Sequence, residues 1–447
     1  MFPKEGYKKM VYITTDGIHK YLFGHNMSVT THLFLRDISW SFMGGAVSGI
    51  VLLITNILVG RLLGPTEYGK IAIMSTIAQI IIIFVSFGMD RASMRFIAMQ
   101  DTNERKAEHI STTFHFTVVT SITLTLLYMS IYPFISKLIG MGTTVVLIGM
   151  IYGLALSYRQ LMENIIRGLE KFKLQAVVRI IESLFILLIF LIVWKSLNFV
   201  SSTMYMAILI AVGIFFVVFY LYNIRSYLGP FHQRSFSQQF SFGGLYFLAA
   251  VFGVIFNSFD KFLIGKYLNL HELGIYSAYF AASVGMLAQL NTLFGNVFTT
   301  TVAKNLNRLP SILKKIDRIT IIGFVPLFAL AFVSVVIIIK LFGSSYEFRW
   351  LYAAAFALLA VLICVYSINA SIVQTYSRNA FKKVFYWGNI INLTFIGLYI
   401  VIIWNFSLSI AWVASVLIIY NAILIILCKY ILFEEGAYVA ALETDRY

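Results

Sequence analysis

The sequence predicts an all-α polytopic membrane protein whose twelve transmembrane helices form two parallel six-helix repeats. Its composition is the first reason: 60% of the 447 residues are hydrophobic and only 12% are charged, whereas soluble domains carry about 25% charged residues. The second reason is the recurrence of apolar runs of roughly twenty residues, each able to cross about 30 Å of hydrocarbon as a helix. The third is a short phrase that occurs twice.

Twelve apolar runs follow one another with short connections between them. They are predicted at about 38–62, 67–88, 108–136, 142–168, 173–195, 202–224, 241–267, 271–298, 316–341, 350–376, 380–404 and 408–432. The segment 225–240, which contains Gly229-Pro230 and a polar run, separates six spans from six. We therefore expect a basic amino-terminal segment (1–35), a first six-helix bundle (36–224), a cytoplasmic linker (225–240), a second bundle (241–433) and a cytoplasmic tail (434–447).

The repeated phrase ends the first span and the seventh. Val59–Gly69 and Ile264–Gly274 agree at one constant offset of 205 residues. The matching positions are Gly60/Gly265, Arg61/Lys266, Leu63/Leu268, Glu67/Glu272 and Gly69/Gly274. Chance similarity between apolar helices is the alternative to a duplication. Six spans per copy give both copies the same orientation, so an axis along the membrane normal would relate them.

Lysines and arginines are concentrated in the loops at one side of the predicted membrane. Arg95 and Lys106 lie in one such loop, and Arg167 and Lys171 lie in another. Because cytoplasmic loops carry the excess of positive charge, both termini should be cytoplasmic in a multi-pass protein of the cell membrane. The net charge of +15 sits in short loops and not on a folded polar domain, so no nucleic-acid partner is expected.

Signatures of catalysis and metal binding are absent from the sequence. No loop is long enough for a separate catalytic domain, and there is no GxxxxGK[ST] phosphate loop, no HExxH and no paired His/Cys spacing. Cys364 and Cys428 fall inside predicted spans, so no structural disulfide is expected. We expect a protein that is not an enzyme, binds no metal and uses no cofactor.

Arg61 and Lys266 are the cations of the repeated phrase. A charge at the bilayer centre costs at least about 2.5–3.5 kcal/mol, so charged residues in spans face protein or a water-filled cavity. Either these two side chains extend to the membrane interface, or they face each other across the axis and form an anion site suited to phosphate.

Asp260 and Lys261 form a charged step that occurs only in the second copy, because the first copy has Thr55 and Asn56 at the same offset. Adjacent helical residues do not face each other, so at least one of the two is expected to face a central cavity. Asp260 is a candidate to carry a coupling proton (H⁺) or to help bind Na⁺. A salt bridge to another helix is the structural alternative.

Charges also cluster in the fourth and fifth spans. Arg159, Glu163 and Arg167 are four residues apart and therefore stack on one face of a helix. Arg179 and Glu182 are predicted to form an i,i+3 pair. These residues either line the cytoplasmic mouth of a cavity or neutralise one another at the membrane edge.

Several motifs occur in an order that resembles a known family. They are Gly60–Gly69, Ser86–Arg91, Arg167–Phe172, Asp260–Gly265 and Leu341–Tyr346. From about residue 36 to about residue 430 the chain resembles polysaccharide biosynthesis membrane proteins, the Wzx-type flippases of the multidrug/oligosaccharidyl-lipid/polysaccharide exporter superfamily. The resemblance implies two six-helix bundles arranged as a V around a central cavity.

The resemblance also implies a function, a substrate and partners. The substrate would be an oligosaccharide linked to polyprenyl (pyro)phosphate, moved from the inner to the outer leaflet by alternating access. Arg61, Lys266 and Arg91 are then candidates to hold the headgroup phosphate; Arg91 and Arg95 are equally explained as cytoplasmic anchors. Glycosyltransferases and a polymerase of the same pathway would be partners, together with the lipid bilayer.

Two other functions stay open at this point. An ion-coupled multidrug or small-molecule exporter of the same superfamily would be driven by H⁺ or Na⁺ and would not require a lipid tail. A membrane glycosyltransferase or polymerase would form a bond, and it normally has an extended outer loop with catalytic carboxylates.

Overall fold

The computed structural model describes residues 29–197, 200–288, 309–405 and 408–437, and in these ranges the chain forms helices and turns but no strand. The α-helices are α1 (Val29–Ser86), α2 (Met89–Ala98), α3 (Asn103–Ile139), α4 (Thr143–Gly168), α5 (Phe172–Leu197), α6 (Ser202–Ile224), α7 (Gln233–Leu263), α8 (Leu270–Phe280), α9 (Leu309–Phe342), α10 (Trp350–Tyr376), α11 (Arg378–Asn405) and α12 (Ile410–Glu434). Single π-helical turns follow α7 (Ile264–Leu268) and α8 (Ala281–Gly285).

Eleven of the twelve predicted spans are present in the part of the chain that the structure describes, with the first two joined in α1. Ten helices in the described part of the chain are long and apolar enough to cross a membrane. Within α1, Gly64 has φ 77° and ψ 170°, a conformation that glycine adopts most readily, and Pro65 then starts a new helical segment. Asn56 before the break and Ser75 after it line the same cavity, so the two segments lie side by side as the first two spans.

Two features of the helices differ from the predictions. The short amphipathic helix α2 occupies residues that were predicted as a basic loop. The seventh helix begins at Gln233 and not at residue 241, because its first turns pack on the first half: the buried Gln239 bonds to His109 and Thr113. Of the eighth span, predicted at about 271–298, residues beyond 288 lie outside the described part of the chain.

The turns define two ends of the molecule. The repeat end comprises residues 64–69, 140–142, 264–274 and 343–349, and the basic end comprises residues 87–102, 169–171, 225–232 and 376–377. Glu67 of α1 accepts hydrogen bonds from the backbone N–H (2.9 Å) and the hydroxyl (2.5 Å) of Ser202, the first residue of α6. At the basic end, Ser111 of α3 donates to the carbonyl of Tyr227 at 2.9 Å.

The repeated phrase makes reciprocal contacts across the two halves. A Cβ atom placed on Gly69 would lie 2.1 Å from the carbonyl oxygen of Leu270, and one placed on Gly274 would lie 1.8 Å from the carbonyl oxygen of Pro65. Leu270 and Pro65 are themselves equivalent at the offset of 205 residues. The two copies therefore meet through matching residues, as expected of parallel repeats related by an axis along the membrane normal.

Candidate functional site

A cavity of about 780 Å³ lies between the second span and the second half of the chain. The second segment of α1 forms one wall, and α7, α8, α10, α11 and α12 form the others. Amide side chains recur around it: Asn56, Gln79, Asn257, Gln374, Asn389, Asn392 and Asn421. We call this space the large cavity.

The large cavity is closed at the repeat end and extends to the basic end. The glycine–carbonyl contacts of the repeated phrase join the halves beyond it, and the rings of Tyr68 and Phe342 pack edge to face with centroids 5.5 Å apart. The hydroxyl of Tyr346 donates to the carbonyl of Gly60 at 3.0 Å. In the opposite direction the lining reaches Gln374 and Phe381, on either side of the turn between α10 and α11.

Asp260 and Lys261 both line the large cavity. The sequence predicted that at least one of the two would face a cavity. Asp260 is 2% exposed and accepts a hydrogen bond from the hydroxyl of Tyr276. The half-buried Lys261 lies with its ammonium 5.1 Å from the centroid of the Phe280 ring and 3.4 Å from the carbonyl of Asn257. The two side chains have separate partners, in agreement with their divergent directions on the helix.

Two buried hydroxyl groups in the second half have no hydrogen-bond partner among the described residues. They belong to Ser277, which lines the large cavity, and to Tyr399. Unpaired buried hydroxyls are uncommon.

A second cavity, of about 380 Å³, lies within the first half. We call it the small cavity. Arg159, Arg179 and Glu182 line it, and it shares Asn56, Ile71 and Ser75 with the large cavity. The two cavities therefore adjoin across the first two spans.

The charges of the fourth and fifth spans form one connected arginine network, made of Arg159, Arg167, Arg179, Glu163 and Glu182. Glu163 is 7% exposed and pairs with Arg159 (3.0 Å), with Arg167 (3.7 Å) and with Arg179. Glu182 pairs with Arg159 at 2.7 Å. Three guanidinium groups thus share two carboxylates, so the network keeps one net positive charge beside the small cavity.

This network corrects one prediction. Arg179 and Glu182 do not pair with each other along α5; each pairs with a residue of α4, Arg179 with Glu163 and Glu182 with Arg159. The reason is that both side chains of α5 face α4, which presents Arg159 and Glu163 on the facing side as partners of opposite charge. Of the two alternatives for these charges, mutual neutralisation is present, and three of the five members of the network also line the small cavity.

Arg61 and Lys266 lie at the repeat end, outside the lining of both cavities. Lys266 donates to the carbonyl of Leu138, in the last turn of α3, at 2.8 Å. Arg61 packs beside Gly343, where a Cβ atom would lie 3.6 Å from its Cγ. Each cation thus stands at the carboxyl end of a helix of the other half, a position that favours positive charge. Their anion site stays a prediction.

Arg91 also lies outside the lining of both cavities. It is exposed on α2, with its guanidinium 5.8 Å from the centroid of the Tyr246 ring of α7. Its neighbour Asp90 is buried and accepts hydrogen bonds from Gln160 and Asn164 of α4, each at 2.8 Å. Sequence reasoning missed this site; the spacing of Gln160 and Asn164, four residues apart, was the available signal.

Comparison with known proteins gives the family and the fold. A family model described as "Polysaccharide biosynthesis protein" matches residues 34–299. No curated protein matches the chain. A multidrug resistance MATE family transporter of the MOP superfamily, solved in an inward-facing conformation, is similar in structure with a TM-score of 0.70 at 13% identity, over 89% of this chain and 96% of that one.

Two further solved structures share the architecture. The eukaryotic MATE transporter AtDTX14 has a TM-score of 0.62 at 17% identity, over 92% of this chain and 98% of its own. The MATE multidrug transporter DinF-BH, in complex with R6G, has a TM-score of 0.65 at 14% identity, over 91% of this chain and 96% of its own. At these identities the likeness concerns the fold. The chain belongs to the polysaccharide biosynthesis protein family, and the part of it that the structure describes shares the fold of these MATE transporters.

Proposed function

We propose that the protein is a flippase that moves a polyprenyl-(pyro)phosphate-linked oligosaccharide from the inner to the outer leaflet for the synthesis of a polysaccharide or surface glycan. The observation that carries this proposal is the combination of the family with a large, amide-lined cavity between the halves. Amides donate and accept hydrogen bonds, which suits sugar hydroxyls that do both.

The geometry supports an alternating-access mechanism. If the basic end is cytoplasmic, as the distribution of Lys and Arg predicts, the large cavity faces the cytoplasm and is closed toward the outside. A headgroup would enter from the inner leaflet while its polyprenyl tail stays in lipid. Rocking of the halves would separate Gly69 from Leu270 and Gly274 from Pro65, and would expose the headgroup at the repeat end.

No covalent step is needed, because the protein only lowers the cost of moving a polar, charged headgroup through hydrocarbon. The arginine network is the best-placed group for the phosphates: Arg159 and Arg179 line the small cavity, and the network has one more cation than anions. Guanidinium groups bind phosphate oxygens through paired hydrogen bonds.

We assign coupling to Asp260, with H⁺ or Na⁺ as the ion. This carboxyl group is buried, lines the large cavity, and is present in one copy of the repeat alone. Protonation or cation binding at this position would change the hydrogen bond with Tyr276, which joins α7 to α8.

An ion-coupled multidrug exporter is the second candidate, and one observation favours it. Asp260 and the rings of Phe280 and Phe385 line the same cavity, a combination that also suits an amphipathic cation. The adjacent Lys261 opposes such a ligand.

Reconstitution into vesicles separates the two functions. We expect a labelled lipid-linked oligosaccharide to become accessible to an impermeant lectin in proteoliposomes but not in empty liposomes. Accumulation of an amphipathic cationic dye with no lectin access would contradict the flippase proposal and favour the exporter.

A further inference from the structure

We infer that the oligosaccharide carried in the large cavity is built from uncharged sugars, without uronate, sialate or phosphate substituents. This inference rests on the proposed flippase function and names the substrate class of the same cavity. It comes from the separation of charged and uncharged surfaces between the two cavities.

The large cavity has almost no charge for its size. Among the described residues that line its 780 Å³, only Asp260 and Lys261 carry formal charges, and these cancel. The remaining polar surface consists of amides and hydroxyls. The first half contributes the amides of Asn56 and Gln79, and the second half contributes further amides, among them Asn389. A neutral sugar has the hydrogen-bonding groups that such a surface satisfies.

Aromatic rings complete a lining suited to neutral sugars. Tyr366, Phe381 and Phe385 approach from α10 and α11, and Phe280 approaches from α8. The flat faces of aromatic rings pack against the C–H surfaces of sugar rings, while the amides take the hydroxyls. This combination gives contact area without requiring charge on the ligand.

An acidic glycan would be poorly accommodated. A substrate carboxylate would bring a second negative charge near Asp260, in a cavity where Lys261 is the only cation among the described lining residues. That ammonium already lies over the Phe280 ring at 5.1 Å. Removing a carboxylate from water without a cation to pair with it is costly. The cavity should therefore bind an acidic sugar more weakly than a neutral one.

The cations that would hold an anion are in the small cavity. Arg159 and Arg179 line it, on the far side of Asn56, Ile71 and Ser75 from the sugar-compatible surface. A headgroup whose only charge is the (pyro)phosphate next to its lipid matches this division. A glycan with charges along its length does not.

The test compares two substrates on the full chain in proteoliposomes. Both carry the same polyprenyl pyrophosphate and the same number of sugars; one has only hexoses and N-acetylhexosamines, and the other has one hexose replaced by its uronate. We expect the uronate-containing lipid to be flipped at least about tenfold more slowly. Equal rates would overturn the inference and leave the flippase function intact. Flipping of neither lipid would instead contradict the proposed function.

A variant tests whether the cavity surface causes the preference. Asn389→Lys adds a cation to the lining and is expected to raise the rate for the uronate lipid relative to the neutral lipid. Asn405→Lys is the matched control, because Asn405 is exposed at the last residue of α11 and lies outside both linings. An unchanged ratio in Asn389→Lys, with folded protein confirmed by thermal unfolding, would overturn the assignment of selectivity to this surface.

Discussion

Two glycines decide how closely the halves approach at the repeat end. Gly69 and Gly274 each face a backbone carbonyl of the other half at a distance that a side chain would occupy. Backbone atoms cannot turn aside as a flexible side chain can, so the main chain would have to shift to admit a methyl group.

Gly274→Ala should therefore destabilise the closed repeat end. We expect a loss of about 1–3 kcal/mol in the free energy of unfolding, measured as a lower thermal unfolding midpoint in detergent. Gly397→Ala in α11 is the control, because a Cβ atom there would meet nothing within 4 Å. Equal midpoints for the two variants would contradict the close contact.

Glu163 forms ion pairs with three arginines. Glu163→Gln should cost about 1–3 kcal/mol of stability, because it leaves three half-buried guanidinium groups with Glu182 as their one carboxylate. The same substitution at Glu347, whose partner Arg349 is exposed with it in the loop before α10, should leave the unfolding midpoint unchanged. A Glu163→Gln protein as stable as Glu347→Gln would show that the network does not stabilise the fold.

Asp260 can be tested separately from folding. Asp260→Asn keeps the size of the side chain and removes its charge, so flipping is expected to lose its response to an imposed H⁺ or Na⁺ gradient. Asp101→Asn, in the exposed turn between α2 and α3, is the control that keeps the response. A gradient response retained in Asp260→Asn would remove this residue from the coupling mechanism.

At the scale of elements, α7 is shared between the halves. The amino-terminal half of this helix packs on the first half of the protein, since Phe247 stacks on Phe87 with centroids 4.0 Å apart and Gln239 bonds to α3. Its later turns belong to the second half, where Phe256 packs on Tyr420 at 4.2 Å. Movement of one half relative to the other must therefore bend or tilt this helix.

Gln239→Leu should weaken the attachment of α7 to α3. The substitution leaves His109 and Thr113 without their buried partner, which is expected to cost about 1–3 kcal/mol, measured by thermal unfolding. Gln238→Leu places the same side chain at an exposed position one residue earlier. If both variants unfold at the same temperature, the buried hydrogen bonds do not secure the helix.

Most of these elements could be predicted from the sequence, because the length of an apolar run and the hydrocarbon thickness decide the spans with little help from packing. The start of α7 could not be predicted in this way. Its first turns are polar, and they are helical because Gln239 finds partners on α3 that are distant in the sequence. The short helix α2 escaped prediction for a related reason, since it is amphipathic and not uniformly apolar.

The candidate site was predictable in part. The position of Asp260 and Lys261 on a cavity wall followed from the cost of charge in a span. The partners of Asp90 and of Arg179 depend on the rotation of neighbouring helices, which a single sequence does not specify. The two cations of the repeated phrase were recognised, but their place beside helix ends of the opposite half depended on how the halves dock.

At the scale of the whole molecule, the two halves make equivalent contacts at the repeat end but differ in the charged groups that face the cavities. The repeat end closes through equivalent residues of both halves, whereas the arginine network belongs to the first half and Asp260 to the second. This distribution places the proposed phosphate contacts and the proposed coupling group on opposite sides of the first two spans. We therefore expect binding and coupling to be linked by movement of the halves.

The reciprocal contact of Gly69 with Leu270 and of Gly274 with Pro65 also bears on ancestry. It has the form of an isologous interface, in which one surface patch pairs with its own copy. A single six-helix chain bearing this phrase would make the same contact with a second molecule of itself. The chain thus contains, within one molecule, a contact with the geometry of a homodimer interface, and each glycine is constrained by the backbone of the equivalent segment.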